Sequence, residues 1–239
     1  MNIVQTKIIV LNYFNLREKS RIISCFSREY GKLDLSISFS ALNVKTNLLE
    51  IFSEHYCSLN LNPEISTLRE HEIISSNYGI VKSTKKSLLG NIVLELLMKV
   101  YPKLYPDIKT YDLTSAFFEN LSLKNNENLL TIAYMLKLLG INGYRTTFNF
   151  SKKELIQGRN YYYNIDEGVI DLKPYPNSPV VVLDYNQCNL IKNLLYAKFK
   201  EIPQVDFDDG YMLLTTILKT ITKIFEIKKL NSLSFLKRN

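Results

Sequence analysis

The chain has 239 residues, 46% of them hydrophobic and 22% charged, which is ordinary globular composition and excludes wholesale disorder. Thirty Lys and Arg against 23 Asp and Glu leave a formal net charge of +7, and eight glycines exclude a collagen-like chain. Apolar runs such as Ile132 to Leu136 fall far short of the roughly 20 residues that cross a bilayer. No charged stretch followed by a long apolar one opens the sequence, so no secretory signal is expected. Cys25, Cys57 and Cys188 are odd in number and widely spaced, which suits buried thiols in a reducing cytoplasm better than a disulfide framework.

The first 75 residues read as strands. Ile3 to Tyr13 is rich in β-branched residues, and Arg21 to Ser27 carries Ile22, Ile23, Cys25 and Phe26. A turn at Glu29-Tyr30-Gly31-Lys32 leads into strict alternation, with Leu33, Leu35, Ile37 and Phe39 on one face and Asp34, Ser36 and Ser38 on the other. That period of two marks a half-buried strand. Asn47 to Leu61 and Ile65 to Ile74 add two more, separated by Asn62-Pro63. Five short strands joined by turns predict a small antiparallel barrel of the OB type.

Near residue 80 the period changes. Lys82 to Tyr101 places Leu88, Leu89, Ile92, Val93, Leu96, Leu97 and Val100 at helical spacing, and Pro102 and Pro106 end it. A second helix is predicted over Tyr111 to Leu121, capped by Asp112 or Thr110, and a third over Glu127 to Leu139, stopping at Gly140. These three are expected to form one bundle. Tyr161 to Ile170 reads as a hairpin turning at Asp166 to Gly168. Helices over Tyr185 to Phe199 and Gly210 to Ile227 complete the chain, the last with Lys219, Lys223 and Lys228 at its polar positions. The fold class is therefore α+β: a five-stranded OB-like antiparallel β-barrel, then an α-helical domain with a small β-hairpin insertion. The expected divisions are barrel 1–78, helical bundle 79–143, hairpin insertion 144–183 and C-terminal helices 184–239.

No catalytic set can be assembled. His55 and His71 sit within predicted strands, where packing or surface roles are commoner than base catalysis. There is no glycine-rich phosphate loop, no nucleophile elbow and no Cys-x-x-Cys element. Asp166-Glu167 and Asp208-Asp209 read as turns or helix starts. A binding protein fits better than an enzyme. Sixteen Tyr and twelve Phe mostly fill cores, but alternation forces at least one of Tyr161, Tyr162 and Tyr163 away from the interior.

The distribution of charge is more informative than its sum. Residues 1–80 hold eight basic and eight acidic side chains, so the remaining 159 carry the whole surplus, 22 basic against 15 acidic. The last 29 residues have six basic groups against the single acid Glu226. Such asymmetry points to a polyanionic partner, nucleic acid or an acidic protein tail, against the plainer reading of a charged, solvated surface.

Several local stretches resemble one family. Thr6-Lys7-Ile8-Ile9-Val10-Leu11 precedes Ser27-Arg28-Glu29-Tyr30-Gly31-Lys32, Leu136-Lys137-Leu138-Leu139-Gly140-Ile141-Asn142-Gly143-Tyr144 ends a helix, and Leu230-Asn231-Ser232-Leu233-Ser234-Phe235-Leu236 closes the chain. Collinear in this order, they resemble the opening strand, the Glu-x-Gly-basic turn, the Gly-Tyr helix end and the closing Leu-x-Ser-x-x-Phe element of the RecO family of bacterial recombination mediators. The resemblance implies binding to single- and double-stranded DNA, annealing of complementary strands, and work with RecR in loading RecA onto DNA coated by single-stranded DNA-binding protein. It implies a cytoplasmic, nucleoid-associated protein with no membrane partner. Three departures accompany it. Arg145 to Ile170 contains no cysteine, so the zinc element of many relatives is not expected, nor any other cofactor. The loop after the third strand, Ser38 to Lys45, holds one basic residue where relatives have several. Thr131-Ile132-Ala133-Tyr134 stands where relatives often carry arginines suited to an acidic tail.

The DNA-contact candidates are Arg17, Arg21, Arg28, Lys32 and Lys45 on the barrel and Lys82, Lys85, Lys86, Lys219, Lys223, Lys228 and Lys229 on the helical part. Tyr134, Lys137 and Leu138 are the candidates for partner binding. The alternative is a protein-interaction scaffold with weak or secondary DNA contact. Membrane-surface binding by the last helix is disfavoured, because its apolar face is sized for a core.

Overall fold

The computed structural model describes residues 3–17, 20–38, 49–203 and 210–233. Two compact units divide the chain: one runs to Leu123 and resumes at Leu230, and the other is Lys124–Lys229.

In the first unit, β1 (Ile3–Arg17), β2 (Ser20–Ser27), β3 (Gly31–Ser38), β4 (Glu54–Asn60) and β5 (Ser66–Ser75) close a barrel in the order β1-β2-β3-β5-β4. The five-stranded OB-like barrel expected from the sequence is therefore present, with one seam that alternation did not foretell. β3 and β5 pair parallel, Leu35 opposite Ser66 and Ser36 opposite Thr67. That seam turns a run of antiparallel strands into a closed Greek key. β1 serves two neighbours, pairing with β4 through Ile3–Ile9 and with β2 from Ile8 onward, and its register with β2 shifts between Val10 and Asn12. An irregularity there bends the strand around the barrel. Ile8, Val10, Ile23, Cys25, Leu33, Leu35, Ile37, Cys57 and Leu59 form the interior. Leu33, Leu35 and Ile37 point inward as the period of two requires, while Asp34 faces out and accepts from Ser24 Oγ at 2.6 Å. Phe39 lies outside the described residues.

Gly31 has φ +70, and a Cβ there would collide with the Tyr105 carbonyl. The turn before β3 thus needs glycine for both its conformation and its clearance. Cys25, Cys57 and Cys188 are free and buried. Burial pushes the Cys57 and Cys188 thiols up to about 12.

The barrel also holds an imidazole pair, with His55 buried and His71 half-buried. His55 Nδ1 and His71 Nδ1 lie 3.2 Å apart, and His55 Nε2 is 2.7 Å from Ser53 Oγ. Ser53 Oγ donates to the Glu50 carbonyl at 2.5 Å. The hydroxyl therefore accepts from His55 Nε2–H, which leaves His55 Nδ1 to accept from His71. Burial, then the neighbouring His71, hold His55 down at about 4, and burial lowers His71 as well. The native state thus binds fewer protons than the unfolded chain, whose histidines titrate near 6.5. Stability from this pair is complete above about pH 6.5 and falls as pH drops toward about 4. Urea unfolding across that range should show a decline in midpoint that His71→Asn flattens; an identical slope in the variant would contradict the linkage.

α1 (Thr84–Val100) and α2 (Ile108–Leu123) belong to the barrel's unit. Ser83 Oγ caps α1 by accepting from Lys86 N at 3.4 Å. The cap of α2 is Asp107, which accepts from Thr110 N at 3.0 Å, rather than Thr110 or Asp112. Helix and barrel are joined by polar and aromatic contacts. The buried Glu54 carboxylate accepts from Tyr111 Oη at 2.9 Å and Ser115 Oγ at 2.7 Å. Phe26 packs against Tyr101 and Tyr111 with centroids 5.3 and 6.4 Å apart. The returning C-terminal segment docks on α1. Glu95 accepts from Asn231 N at 2.8 Å, Ser232 N at 3.0 Å and Ser232 Oγ at 2.6 Å. Burial opposes its ionisation, but these donors and Lys99 outweigh it and lower its pKa.

The second unit holds α3 (Glu127–Ile141), β6 (Thr147–Phe148), β7 (Tyr161–Asn164), β8 (Val169–Asp171), β9 (Val180–Leu183), α4 (Tyr185–Tyr196) and α5 (Gly210–Ile224). The expected hairpin β7–β8 is the centre of a four-stranded sheet ordered β6-β8-β7-β9. Asn164 Oδ1 builds its turn by accepting from Asp166 N at 2.9 Å and Glu167 N at 3.2 Å. Tyr161 and Tyr163 are fully buried and Tyr162, between them, is half-buried. α3 packs against α4 and α5. The three helices read as one bundle therefore divide: α1 and α2 go with the barrel, α3 with the second unit. The residues explain the split. α1 has one apolar face, whereas α3 is buried at every position from Leu129 to Leu136 and needs cover on several sides.

Candidate nucleic-acid interface

A lysine or arginine can meet a phosphate only when its charge is not already committed inside the protein. The barrel candidates are largely committed. Arg28 clamps Asp112 with both edges of its guanidinium, Nε to Oδ1 at 2.8 Å and a terminal nitrogen to Oδ2 at 3.1 Å, and it also meets Glu29 at 3.4 Å. The Asp112 hydrogen bonds raise its pKa above the ordinary arginine value. Lys32 Nζ donates to the Met98 carbonyl at 2.6 Å, near the end of α1. Burial lowers its pKa. Arg21 Nε donates to Asn15 Oδ1 at 3.1 Å, and its guanidinium lies 4.1 Å from the Tyr13 ring centroid. Arg17 ends β1, paired in register with Ser20, and Lys45 lies outside the described residues.

On α1 the three lysine candidates separate. Lys86 is buried at 6% exposure, and its Nζ donates to the Ser122 carbonyl at 3.3 Å, in the last turn of α2. That is a tie to a helix C-terminus, where carbonyls carry partial negative charge, and Lys86 is corrected from DNA contact to internal support. Lys82 and Lys85 are exposed at the helix start, whose first turn holds no acid. Lys82 Nζ lies 4.9 Å from the centroid of the Tyr78 ring, itself 62% exposed.

In the second unit, α5 buries Leu213, Leu214, Ile217, Leu218 and Ile221 and presents Lys219 and Lys223 one turn apart to solvent. Asp166 is 3.8 Å from Lys223, an open ion pair that neutralises little. Lys228 and Lys229 follow, both exposed.

Two of the three partner-binding candidates are buried. Tyr134 and Leu138 have no exposed surface, because they lie within α3 under its neighbouring helices. Lys137 Nζ donates to the Leu195 carbonyl at 3.0 Å, and burial and then Arg145 lower its pKa. Tyr134 and Leu138 are not displayed for a partner tail, and Lys137 is half-buried.

Sequence reasoning missed a different grouping. Arg145, just before β6, sits over Tyr196 at the end of α4, with 4.8 Å between guanidinium carbon and ring centroid. The Gly143-Tyr144 turn marks where the chain leaves α3 ahead of Arg145, but no pattern in the chain links that arginine to a residue so far along.

A closed OB-like barrel followed by helices and a small sheet is an arrangement that comparison can test against known chains. Residues 1–77 match the family described as Recombination protein O N terminal, and residues 82–220 match Recombination protein O C terminal. The chain belongs to the RecO family. A relative named DNA repair protein RecO, from Caldanaerobacter subterraneus subsp. tengcongensis, is 26% identical over 148 residues. The match takes in 60% of this chain and 60% of the relative's length. The descriptions of that family and of that relative name recombination and DNA repair. Among the described residues, no helix is long and apolar enough to cross a membrane.

Proposed function

We propose that the chain is a DNA repair and recombination mediator that binds single- and double-stranded DNA through backbone phosphates, without reading base sequence. It anneals complementary strands and, with RecR, assists the loading of RecA, single-stranded DNA-binding protein being a further partner. It performs no catalytic step and acts on the nucleoid in the cytoplasm. The observation that carries this reading is the sorting of its cations. Arg28, Lys32, Lys86 and Lys137 are drawn into internal contacts, whereas Lys219 and Lys223 stand exposed on the polar side of α5. Exposed, repeated cations on a rigid helix neutralise phosphates and reduce repulsion between two strands while leaving their bases free to pair.

The second reading, a scaffold for repair proteins with secondary DNA contact, is favoured by the committed barrel cations. Strand annealing and fluorescence anisotropy decide between them. The mediator reading expects annealing of complementary oligonucleotides, and binding that weakens steeply between about 50 and 200 mM salt. Absence of annealing, or an affinity indifferent to salt, would favour the scaffold.

A further inference from the structure

In the second unit, a groove of about 1030 Å³ runs between the start of the small sheet and the end of α4. Its walls include Arg145, Phe148, Phe150, Lys192, Tyr196 and Glu201. Tyr196 is 70% exposed, so its ring is not a core element. Arg145 lies over that ring at 4.8 Å, a flat cation against a flat aromatic. Phe148 and Phe150 meet edge to face at 5.7 Å, and Phe150 is braced from behind by Tyr161 at 5.2 Å. The aromatic wall is therefore held by a buried strand residue rather than by a loose loop.

The charge of the groove is mainly positive. Arg145 and Lys192 line it, and Lys137 is close enough to Arg145 for the two cations to oppose each other. Glu201 is the acid among the lining residues, and its carboxylate already accepts from Lys198 N at 3.1 Å. A ligand matching an exposed tyrosine ring and half-exposed phenylalanines beside cations carries flat π-systems joined by anions. An unpaired nucleic-acid strand has both, whereas a duplex keeps its base faces stacked inside. An acidic peptide matches the charge but leaves the ring faces and the stacked guanidinium unexplained.

We propose that this groove is a single-strand nucleic-acid site, in which an unpaired base stacks on Tyr196 and the adjoining phosphates meet Arg145 and Lys192. The inference rests on the nucleic-acid reading above and deepens it by assigning the single-strand component to a place. It separates two functions: the α5 lysines serve any phosphate backbone, and the groove serves exposed bases.

The test uses the full chain, a fluorescent oligo-dT and a duplex of equal length. Tyr196→Ala should weaken oligo-dT binding about tenfold while leaving duplex affinity unchanged. Tyr196→Phe, which keeps the ring, should bind oligo-dT like the parent. Oligo-dT affinity unchanged in Tyr196→Ala overturns the groove assignment, as does equal loss on single strand and duplex. So does a labelled acidic, apolar peptide whose binding needs Tyr196 when oligo-dT binding does not. If the parent protein binds neither DNA, the reading of the preceding section fails before the groove is in question.

Discussion

Tyr134→Ala should destabilise the protein by about 3–5 kcal/mol, the cost of emptying a large buried aromatic site. Tyr134 has no exposed surface, and it lies on a helix enclosed on successive positions from Leu129 to Leu136. The loss is measurable as a lower urea midpoint with little change in the denaturant slope. A partner-facing Tyr134 predicts the opposite pattern, with stability retained and only binding impaired. Lys137→Ala is a useful companion. It removes one hydrogen bond to the Leu195 carbonyl and should cost only about 1 kcal/mol. A midpoint for Tyr134→Ala equal to the parent's would restore the surface reading of α3.

Replacing Lys219 and Lys223 together by glutamine should flatten the dependence of log affinity on log salt by up to about 2 units for duplex DNA. Each lysine that neutralises a phosphate contributes close to one unit, and Asp166 near Lys223 trims its share. Both side chains are exposed on α5, so folding should be unaffected. Lys86→Gln provides the contrast. Its charge is tied to the Ser122 carbonyl, so it should lower stability and leave the salt slope alone. An unchanged slope in the double variant, or a changed one in Lys86→Gln, would remove α5 as the principal phosphate surface.

The parts of this protein that were legible in the sequence are those governed by local repetition. Leu33, Leu35 and Ile37 alternate with Asp34 and Ser36 because one face of β3 meets the barrel interior, and Gly31 marks the only kind of residue its turn accepts. The α5 stripe was readable for the same reason, with its lysines spaced between buried leucines and isoleucines. What escaped was set by distant partners. The parallel β3–β5 seam depends on how the barrel closes, not on either strand's pattern. β6 has two residues, too few to show any period. Lys32, Lys86 and Lys137 look like surface cations in the sequence, yet each donates to a carbonyl 36 to 66 positions away. A backbone acceptor has no residue identity, so no composition or spacing rule announces it. The Arg145–Tyr196 stack was hidden by the same separation.

The Glu95 docking of Asn231 and Ser232 has a consequence for the order in which the protein is made. The barrel, α1 and α2 leave the ribosome ahead of the second unit, but the donors that occupy Glu95 are translated only after all of Lys124–Lys229. The second unit is thus complete as a sequence before the unit it interrupts. During synthesis, the α1 surface that Leu230–Leu233 later covers stays open while the whole insert is being translated, and it closes only once those residues follow.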